Sequence, residues 1–155
     1  FPGQTIHYQS ADSIESDEPE DVMNQFWPPE FLHTLNSDGL PPHELRLKVG
    51  MPVIVIRNIS PTQGICNGTR LRILQLLPNL IEGQILNGNE SFIGKNVFIP
   101  RISLTSTGSA LPFILCRRQF PVQIAFAMTI NKSQGQTIKH VGVFSIFIAV
   151  YVPLY

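Results

Sequence analysis

A polar cluster near the C-terminal end of the chain, within the stretch AFAMTINKSQGQT (125–137), has the residue types needed to bind phosphate. Thr129, Asn131, Lys132, Ser133 and Gln134 place hydroxyl, amide and ammonium groups in six consecutive positions. Such donors bind the sugar–phosphate backbone of nucleic acids without reading its sequence. The alternative is an ordinary helical C-terminus, where a Lys side chain favours the negative end of the helix dipole. The residues alone leave both interpretations open.

An apolar stretch precedes this cluster and must position it. It begins after Pro121 and continues to Ile130. Pro121 suits a first helical position, and Gly135 suits the left-handed residue that follows a last turn. The pattern therefore predicts one short, largely buried helix from Pro121 to about Gln134. Arg117 and Arg118 lie just before it and are candidates for phosphate contacts, because a guanidinium can bind phosphate bidentately.

The middle of the chain has strand-like periodicity, and its connections are rich in Gly, Pro and Asn. Asn67–Gly68 predicts a tight turn with positive φ. Alternation over TRLRILQL (69–76) directs Leu71, Ile73 and Leu76 to a core and Arg70 and Arg72 outward. Several short strands at this spacing favour a small barrel. The four predicted strands are Pro52–Arg57, Thr69–Leu76, Leu80–Leu86 and Val97–Leu104.

These patterns divide the chain into five segments. Residues 1–27 are predicted to be an acidic lead-in loop, and residues 28–44 a short helix (Pro28 to Asn36) followed by a turn. Residues 45–112 are the predicted barrel. Residues 113–144 hold the predicted helix and a strand near Thr137–Phe144. Residues 145–155 complete an apolar tail, for which a strand, a membrane-associated segment and an aberrant coding sequence remain alternatives.

The net charge of zero conceals a strong asymmetry. Residues 1–44 contain nine Asp and Glu and no Lys or Arg, whereas residues 45–155 contain eleven Lys and Arg and two acids. The basic part suits a polyanionic partner. Alternatively, the acidic head lies against the basic body and neither part contacts nucleic acid.

Several chemistries are excluded by spacing. GNESFIGKN (88–96) is not a phosphate-binding P-loop, because five residues separate its glycines where four are required and Asn96 replaces Ser or Thr. We expect a hairpin loop there. No Asp-Glu pair follows an apolar strand, so a magnesium carboxylate of the Walker B type is absent. Two scattered cysteines, Cys66 and Cys116, form neither a disulfide framework nor a metal site, and no metal is expected.

INKSQGQT (130–137) resembles motif V of the superfamily 1 DNA helicases related to RecD. More narrowly, it is similar to the petite-integration-frequency helicases and their Helitron relatives. Other segments resemble the C-terminal half of these helicases in the same order. The resemblance covers roughly residues 11–143, departs at Asn131, where the broader family has His, and ends after Val143. The supporting segments are SADSIESDE, PPEFLHTLNSDGLPPHELRLKVGMPVIVIRN, GICNGTRLRI, VFIPRISL and RRQFPVQIAFAMTINKSQGQTI.

The resemblance implies an α+β fragment, in which a small Src-homology-3-like β-barrel (the 2B insert) accompanies part of a RecA-like α/β domain. It implies that Thr129, Asn131, Lys132 and Ser133 contact single-stranded DNA. Gln134, Gly135 and Thr137 would then lie toward the ATP cleft. The full-length family uses ATP and Mg²⁺, and we expect neither cofactor for this chain alone.

The resemblance thus predicts a fragment of an ATP-dependent DNA helicase acting in repair, recombination, telomere maintenance or Helitron transposition. Its implied partners are single-stranded DNA and a missing N-terminal RecA-like domain, with no membrane, in an intracellular, nuclear setting. Because the P-loop, Walker B acids and motif VI arginine are absent from this sequence, we expect no ATP hydrolysis. The rival predictions are a non-catalytic single-strand-binding barrel and an inactive transposon remnant.

Overall fold

The structure is a computed structural model that describes residues 3–17, 20–37, 39–107, 111–129, 142–144 and 149–151. Within these ranges the chain is mostly β-structure with two short helices, and no helix there is long and apolar enough to span a membrane. The helices are α1 (Glu20–Phe26) and α2 (Pro29–Thr34). The strands are β1 (Ile6–Gln9), β2 (Ala11–Glu15), β3 (Glu44–Leu47), β4 (Pro52–Val55), β5 (Arg70–Leu76), β6 (Leu80–Ile85), β7 (Asn96–Pro100), β8 (Ile102–Thr105), β9 (Ile114–Gln119), β10 (Val122–Ile124), β11 (Ala127–Thr129), β12 (Gly142–Phe144) and β13 (Ala149–Tyr151).

A five-stranded antiparallel sheet, in the order β10-β4-β5-β6-β7, forms the predicted small β domain and confirms that part of the fold. Alternating β-branched residues bury one face, which is the pattern that stabilises a half-buried sheet. β1 and β3 pair separately and add Tyr8, Leu45 and Leu47 to the same core. Gly68 in the predicted turn has φ +92°, as Asn-Gly requires.

Strand β5 shows where the predicted alternation holds and where it fails. Leu71 and Ile73 are fully buried, and Leu76 packs against the same core. Arg70 was predicted to point outward, but only 7% of it is exposed, and its Nε and Nη2 atoms have no hydrogen-bond partner. The prediction is wrong for Arg70 because the second face of the sheet is also covered there. Burial lowers the pKa of this guanidinium.

A second three-stranded antiparallel sheet, in the order β2-β9-β8, packs against α2. Its core contains Leu32, Leu40, Leu104 and Leu115. The predicted strand Val97–Leu104 is divided between the two sheets at Arg101. There the Arg101 Nη1 donates to the carbonyl of Gln9 at 2.7 Å, and its guanidinium lies 4.8 Å from the Phe120 ring centroid. These contacts hold the chain where it crosses from one sheet to the other.

The prediction of an acidic lead-in loop over residues 1–27 is wrong. Residues 6–9 and 11–15 form β1 and β2, and residues 20–26 form α1. The missed signal is tertiary, because β1 pairs with β3 and β2 pairs with β9 far along the chain. The predicted helix from Pro28 to Asn36 is observed as α2, Pro29–Thr34.

The helix predicted from Pro121 to Gln134 is also wrong over its described part. Val122–Ile124 is strand β10 and pairs with Val53–Val55, while Ala127–Thr129 is strand β11. The sheet edge offered by β4 outweighs the local apolar pattern, and the β-branched residues Val122 and Ile124 suit a strand. Residues 130–134 lie outside the described residues. The RecA-like helix of the predicted fold is therefore not observed over the described residues 121–129.

The C-terminal strands belong to another three-stranded sheet, in the order β11-β13-β12. β12 (Gly142–Phe144) occupies the C-terminal end of the strand predicted near Thr137–Phe144, whose first residues are not described. Within the apolar tail, β13 (Ala149–Tyr151) pairs with both β11 and β12. The strand alternative for the tail is therefore observed at these three residues.

The sheet β2-β9-β8 and α2 form what we call the second module, and the Arg117 guanidinium is its polar centre. It is fully buried, and each of its five N–H groups has an acceptor. Nε and Nη2 donate to the two carboxylate oxygens of Asp12 at 2.9 and 2.7 Å. Nη1 donates to the carbonyls of Leu35 and Pro41, and Nη2 also donates to that of Leu32. One side chain thereby joins β9, β2, the end of α2 and the loop before β3.

We predict that Asp12→Asn lowers the free energy of unfolding by about 3–5 kcal/mol, because it leaves a buried guanidinium without its counter-charge. Urea unfolding followed by circular dichroism measures this. The control is Arg46→Ala, which removes an exposed, solvent-screened ion pair with Glu44 and should cost much less than Asp12→Asn. Equal costs for the two variants would contradict the central role of the buried pair.

Candidate nucleic-acid interface

Arg118 lies on the outer face of the sheet β2-β9-β8. Strand alternation places its neighbours Arg117 and Gln119 in the interior and Arg118 in solvent. In the register, Ala11 and Ser103 flank Arg118 on the two adjacent strands. The guanidinium has no ion pair or side-chain hydrogen bond within the described part of the chain. It is therefore available to an external anion.

Exposed hydroxyl groups surround this arginine. Ser103 lies opposite Arg118 on β8. Two residues further along, on the same face of the sheet, Ser13 and Thr105 flank Cys116 on the adjacent strands. We call Arg118 with Ser13, Ser103 and Thr105 the Arg118 face. A guanidinium beside hydroxyl donors suits a phosphate chain, which accepts both kinds of hydrogen bond. Glu15, paired with Ile114 at the end of the face, is the opposing charge on it.

Arg117 and Arg118 were both predicted to contact phosphate, but Arg117 does not lie on the outer face. Its side chain is fully buried and all of its donors bind protein acceptors. An external phosphate cannot reach it without breaking these contacts. The sequence signal that separates the two arginines is the alternation in ILCRRQ (114–119), which becomes readable once this segment is known to be a strand.

Of the predicted motif V residues, the structure describes only Thr129. The backbone of Thr129 ends strand β11, opposite Ala149 in the register. Asn131, Lys132, Ser133, Gln134, Gly135 and Thr137 lie outside the described residues. Their predicted contacts with DNA and with the ATP cleft remain predictions.

An open groove of about 460 Å³ lies at the edge of β3 and β10. Its lining is mixed, with the apolar Leu40 and Ile124 beside the charged Glu44 and Arg46. Arg46 donates to Glu44 Oε2 through Nε at 3.0 Å and Nη2 at 2.7 Å. His7 Nδ1 lies 2.7 Å from the other carboxylate oxygen. These hydrogen bonds, that of Arg46 first, lower the pKa of Glu44 to about 2.

A Ser, a His and an Asp also meet in the fold, but their order excludes the charge-relay chemistry of a hydrolase. Ser10 Oγ donates to Asp12 Oδ1 at 2.6 Å, and His43 Nδ1 lies 2.8 Å from the same Oγ. Since the hydroxyl proton is used on Asp12, the imidazole must donate to the serine and cannot act as its base. The Asp12 carboxylate is in turn held by Arg117.

Comparison with known proteins agrees with the small β domain and the sequence motifs. The family model for the DNA helicase Pif1, 2B domain, matches residues 30–76. The human ATP-dependent DNA helicase PIF1 is 33% identical over 145 residues, covering 92% of this chain and 20% of the relative. The Pif1 helicase of Bdellovibrio bacteriovorus is 29% identical over 126 residues, covering 80% of this chain and 27% of the relative.

Solved structures show the same fold. A Bacteroides Pif1 structure bound to single-stranded DNA has a TM-score of 0.58 at 22% identity, covering 89% of this chain and 28% of that one. The Pif1 helicase from Candida albicans has a TM-score of 0.57 at 22% identity, covering 88% of this chain and 32% of that one. The chain thus spans about a fifth to a third of the proteins that it matches.

The fold and these matches make the chain similar to a segment of a DNA helicase that contains a 2B domain. More narrowly, the chain is Pif1-like and resembles the C-terminal part of these DNA helicases.

We predict that the Glu44 carboxyl titrates with a pKa of about 2, below its ordinary value of 4.5, because Arg46 and His7 stabilise its charged form. Its contribution to stability is therefore present above about pH 4.5 and is lost as the pH falls toward 2. Carboxyl NMR titration checks this. Arg46→Ala should raise the pKa most and His7→Ala less, and an unshifted Glu44 in the parent chain would contradict the assignment.

Proposed function

We propose that this chain is part of an ATP-dependent DNA helicase and supplies contacts to single-stranded DNA without hydrolysing ATP by itself. The observation that carries the DNA contact is the Arg118 face, where an exposed guanidinium without a protein acceptor in the described part lies beside hydroxyl side chains. The Pif1 2B match and the similarity to a Pif1 structure bound to single-stranded DNA support this choice of ligand.

The proposal assigns the motif V positions as well. Thr129, Asn131, Lys132 and Ser133 would contact the DNA backbone, and Gln134, Gly135 and Thr137 would lie toward an ATP cleft completed by an N-terminal RecA-like domain. Thr129 lies at the end of a strand that is hydrogen-bonded into a sheet, so the segment that follows begins from a fixed point. ATP and Mg²⁺ would belong to the complete motor, and its process would be DNA repair, recombination, telomere maintenance or Helitron transposition in the nucleus.

The charge distribution supports a polyanionic ligand once two internal ion pairs are taken into account. Within the acid-rich residues 1–44, Asp12 is neutralised by Arg117 and Glu44 by Arg46, so neither acid repels DNA with full charge. Arg117 and Arg46 are likewise occupied. The proposed interface therefore includes Arg118 and Lys132 with their neighbouring hydroxyl and amide groups, and it excludes Arg117 and Arg46.

We predict that the purified chain shows no DNA-stimulated ATP hydrolysis above buffer, because its sequence has no P-loop and no Walker B acids to hold nucleotide and Mg²⁺. A phosphate-release assay with and without single-stranded DNA measures this. Turnover that co-purifies with the chain through several columns, and that is lost in Thr137→Ala, would refute the proposal.

We predict that Arg118→Ala and Lys132→Ala each weaken single-stranded DNA binding similarly for all base sequences. Each should lower the magnitude of the salt slope by roughly 0.7, which is the share of one phosphate on a single strand. Fluorescence anisotropy at several salt concentrations measures both quantities.

The charge-matched control is Arg46→Ala, since Arg46 is tied to Glu44 and should leave the slope nearly unchanged. Glu15→Gln provides a test of opposite sign, because neutralising this exposed acid at the end of the Arg118 face should strengthen binding. If Arg118→Ala and Arg46→Ala behave alike, the Arg118 face is not the interface.

A further inference from the structure

Two histidines and one aspartate from three separate elements meet beside the buried Arg117. Asp12 lies on β2, His33 near the end of α2, and His43 in the loop just before β3. One potential ligand atom from each of the three side chains lies within 4.8 Å of the others. The imidazole rings of His33 and His43 stack, with 3.9 Å between centroids and 16° between planes.

We propose that Asp12, His33 and His43 bind a divalent transition-metal ion of the zinc class. Two imidazoles and one carboxylate are a ligand set that Zn²⁺ accepts, with water completing a tetrahedron. Imidazole nitrogen excludes Mg²⁺ and Ca²⁺ as preferred occupants, since these ions select oxygen ligands. The site lies away from the Arg118 face and is independent of the proposed DNA contacts.

The Asp12 carboxylate is fixed and still has a free ligand position. Its Oδ1 accepts hydrogen bonds from Arg117 Nε and from Ser10, whereas Oδ2 accepts only from Arg117 Nη2 among the described hydrogen bonds. A carboxylate oxygen can accept two hydrogen bonds, so one lone pair of Oδ2 remains. His43 Nδ1 lies 3.8 Å from this atom. Two ligands held about 2.0–2.1 Å from one tetrahedral ion lie about 3.4 Å apart, so the two atoms must approach slightly when the ion binds.

The hydrogen bonds of Ser10 define the tautomer of the metal-free histidine. Ser10 donates its only hydroxyl proton to Asp12, so His43 must carry its proton on Nδ1 and donate it to Ser10 Oγ. Metal binding at Nδ1 would move that proton to Nε2, on the other side of the ring. No net proton is lost from the imidazole, and Ser10 keeps its bond to Asp12.

The stacked rings must change their orientation for the metal to bind. Lone pairs of parallel imidazoles do not converge on one point, so one ring has to turn. The rotation would fall to His33, which is half-buried and lies one residue from the end of the six-residue helix α2. Side-chain rotation of an accessible residue is fast and costs little compared with a metal–ligand bond. The bound ion would replace ring stacking with a bond that ties α2 to β2.

The test is isothermal titration of the full 155-residue chain with Zn²⁺ alone in a non-chelating buffer, with Mg²⁺ as the comparison ion. We expect one Zn²⁺ per chain and no heat from Mg²⁺. His33→Ala and His43→Ala should each weaken Zn²⁺ binding by about 10-fold or more, as loss of groups in a metal site does. His7→Ala is the control, since His7 lies against Glu44 outside the cluster, and it should leave Zn²⁺ affinity unchanged.

Long-range ¹H–¹⁵N NMR of the imidazoles provides the second readout. Zn²⁺ should convert His43 from the Nδ1–H to the Nε2–H tautomer and remove the ring-current shift between the two histidines. If His43→Ala does not fold, His33→Ala still decides the proposal, because it leaves the bonds among Ser10, Asp12 and Arg117 in place. Unchanged Zn²⁺ affinity in the histidine variants, or retention of the Nδ1–H tautomer at saturation, overturns the site.

Discussion

A buried guanidinium that must find five acceptors is the constraint on which the second module depends. Arg117 obtains two from Asp12 and three from backbone carbonyls, including those of Leu32 and Leu35 near the end of α2. The last carbonyls of a helix lack the usual intrahelical donors, and here Leu32 accepts only the capping N–H of Leu35 among the described backbone hydrogen bonds, so the arginine also serves as a cap for α2. A buried charge of this kind stabilises one arrangement only, because any displacement leaves donors or acceptors unpaired.

Gln119, two residues further along the same strand face, continues this polar centre. It is fully buried, and its Nε2 donates to the carbonyls of Tyr8 and His43, while its Oε1 accepts from the backbone of Phe120 and from Arg101. Arg117 and Gln119 thus face the point where the chain passes from β1 to β2. Their hydrogen bonds join the two apolar cores. Because Arg117 and Gln119 point inward on either side of Arg118, they also hold Arg118 on the outer face.

Local patterns predicted the strands β4, β5, β6 and β7 of the small β domain, because these strands follow one another along the chain and each is bounded by turn residues. β4, β5 and β6 lie within the predicted ranges, and the Asn67–Gly68 turn has the predicted backbone. The same reasoning failed for residues 1–27 and 121–129, where strands form on edges supplied by distant segments. It also failed for Arg117, since the carboxylate that draws this residue inward lies 105 positions away. Arg118 was recognised as a candidate, but its hydroxyl neighbours belong to strands that only the fold brings together.

The pairing of β2 with β9 also determines the order in which the chain can acquire its structure. Asp12 leaves the ribosome long before Arg117, so β2 has no partner while β4, β5, β6 and β7 are already able to pair with one another. Closing a long loop costs entropy before its contacts are formed, which makes such a sheet a late step. The strands β4 to β7, whose pairings are local in sequence, can therefore form before β2 and β9 pair.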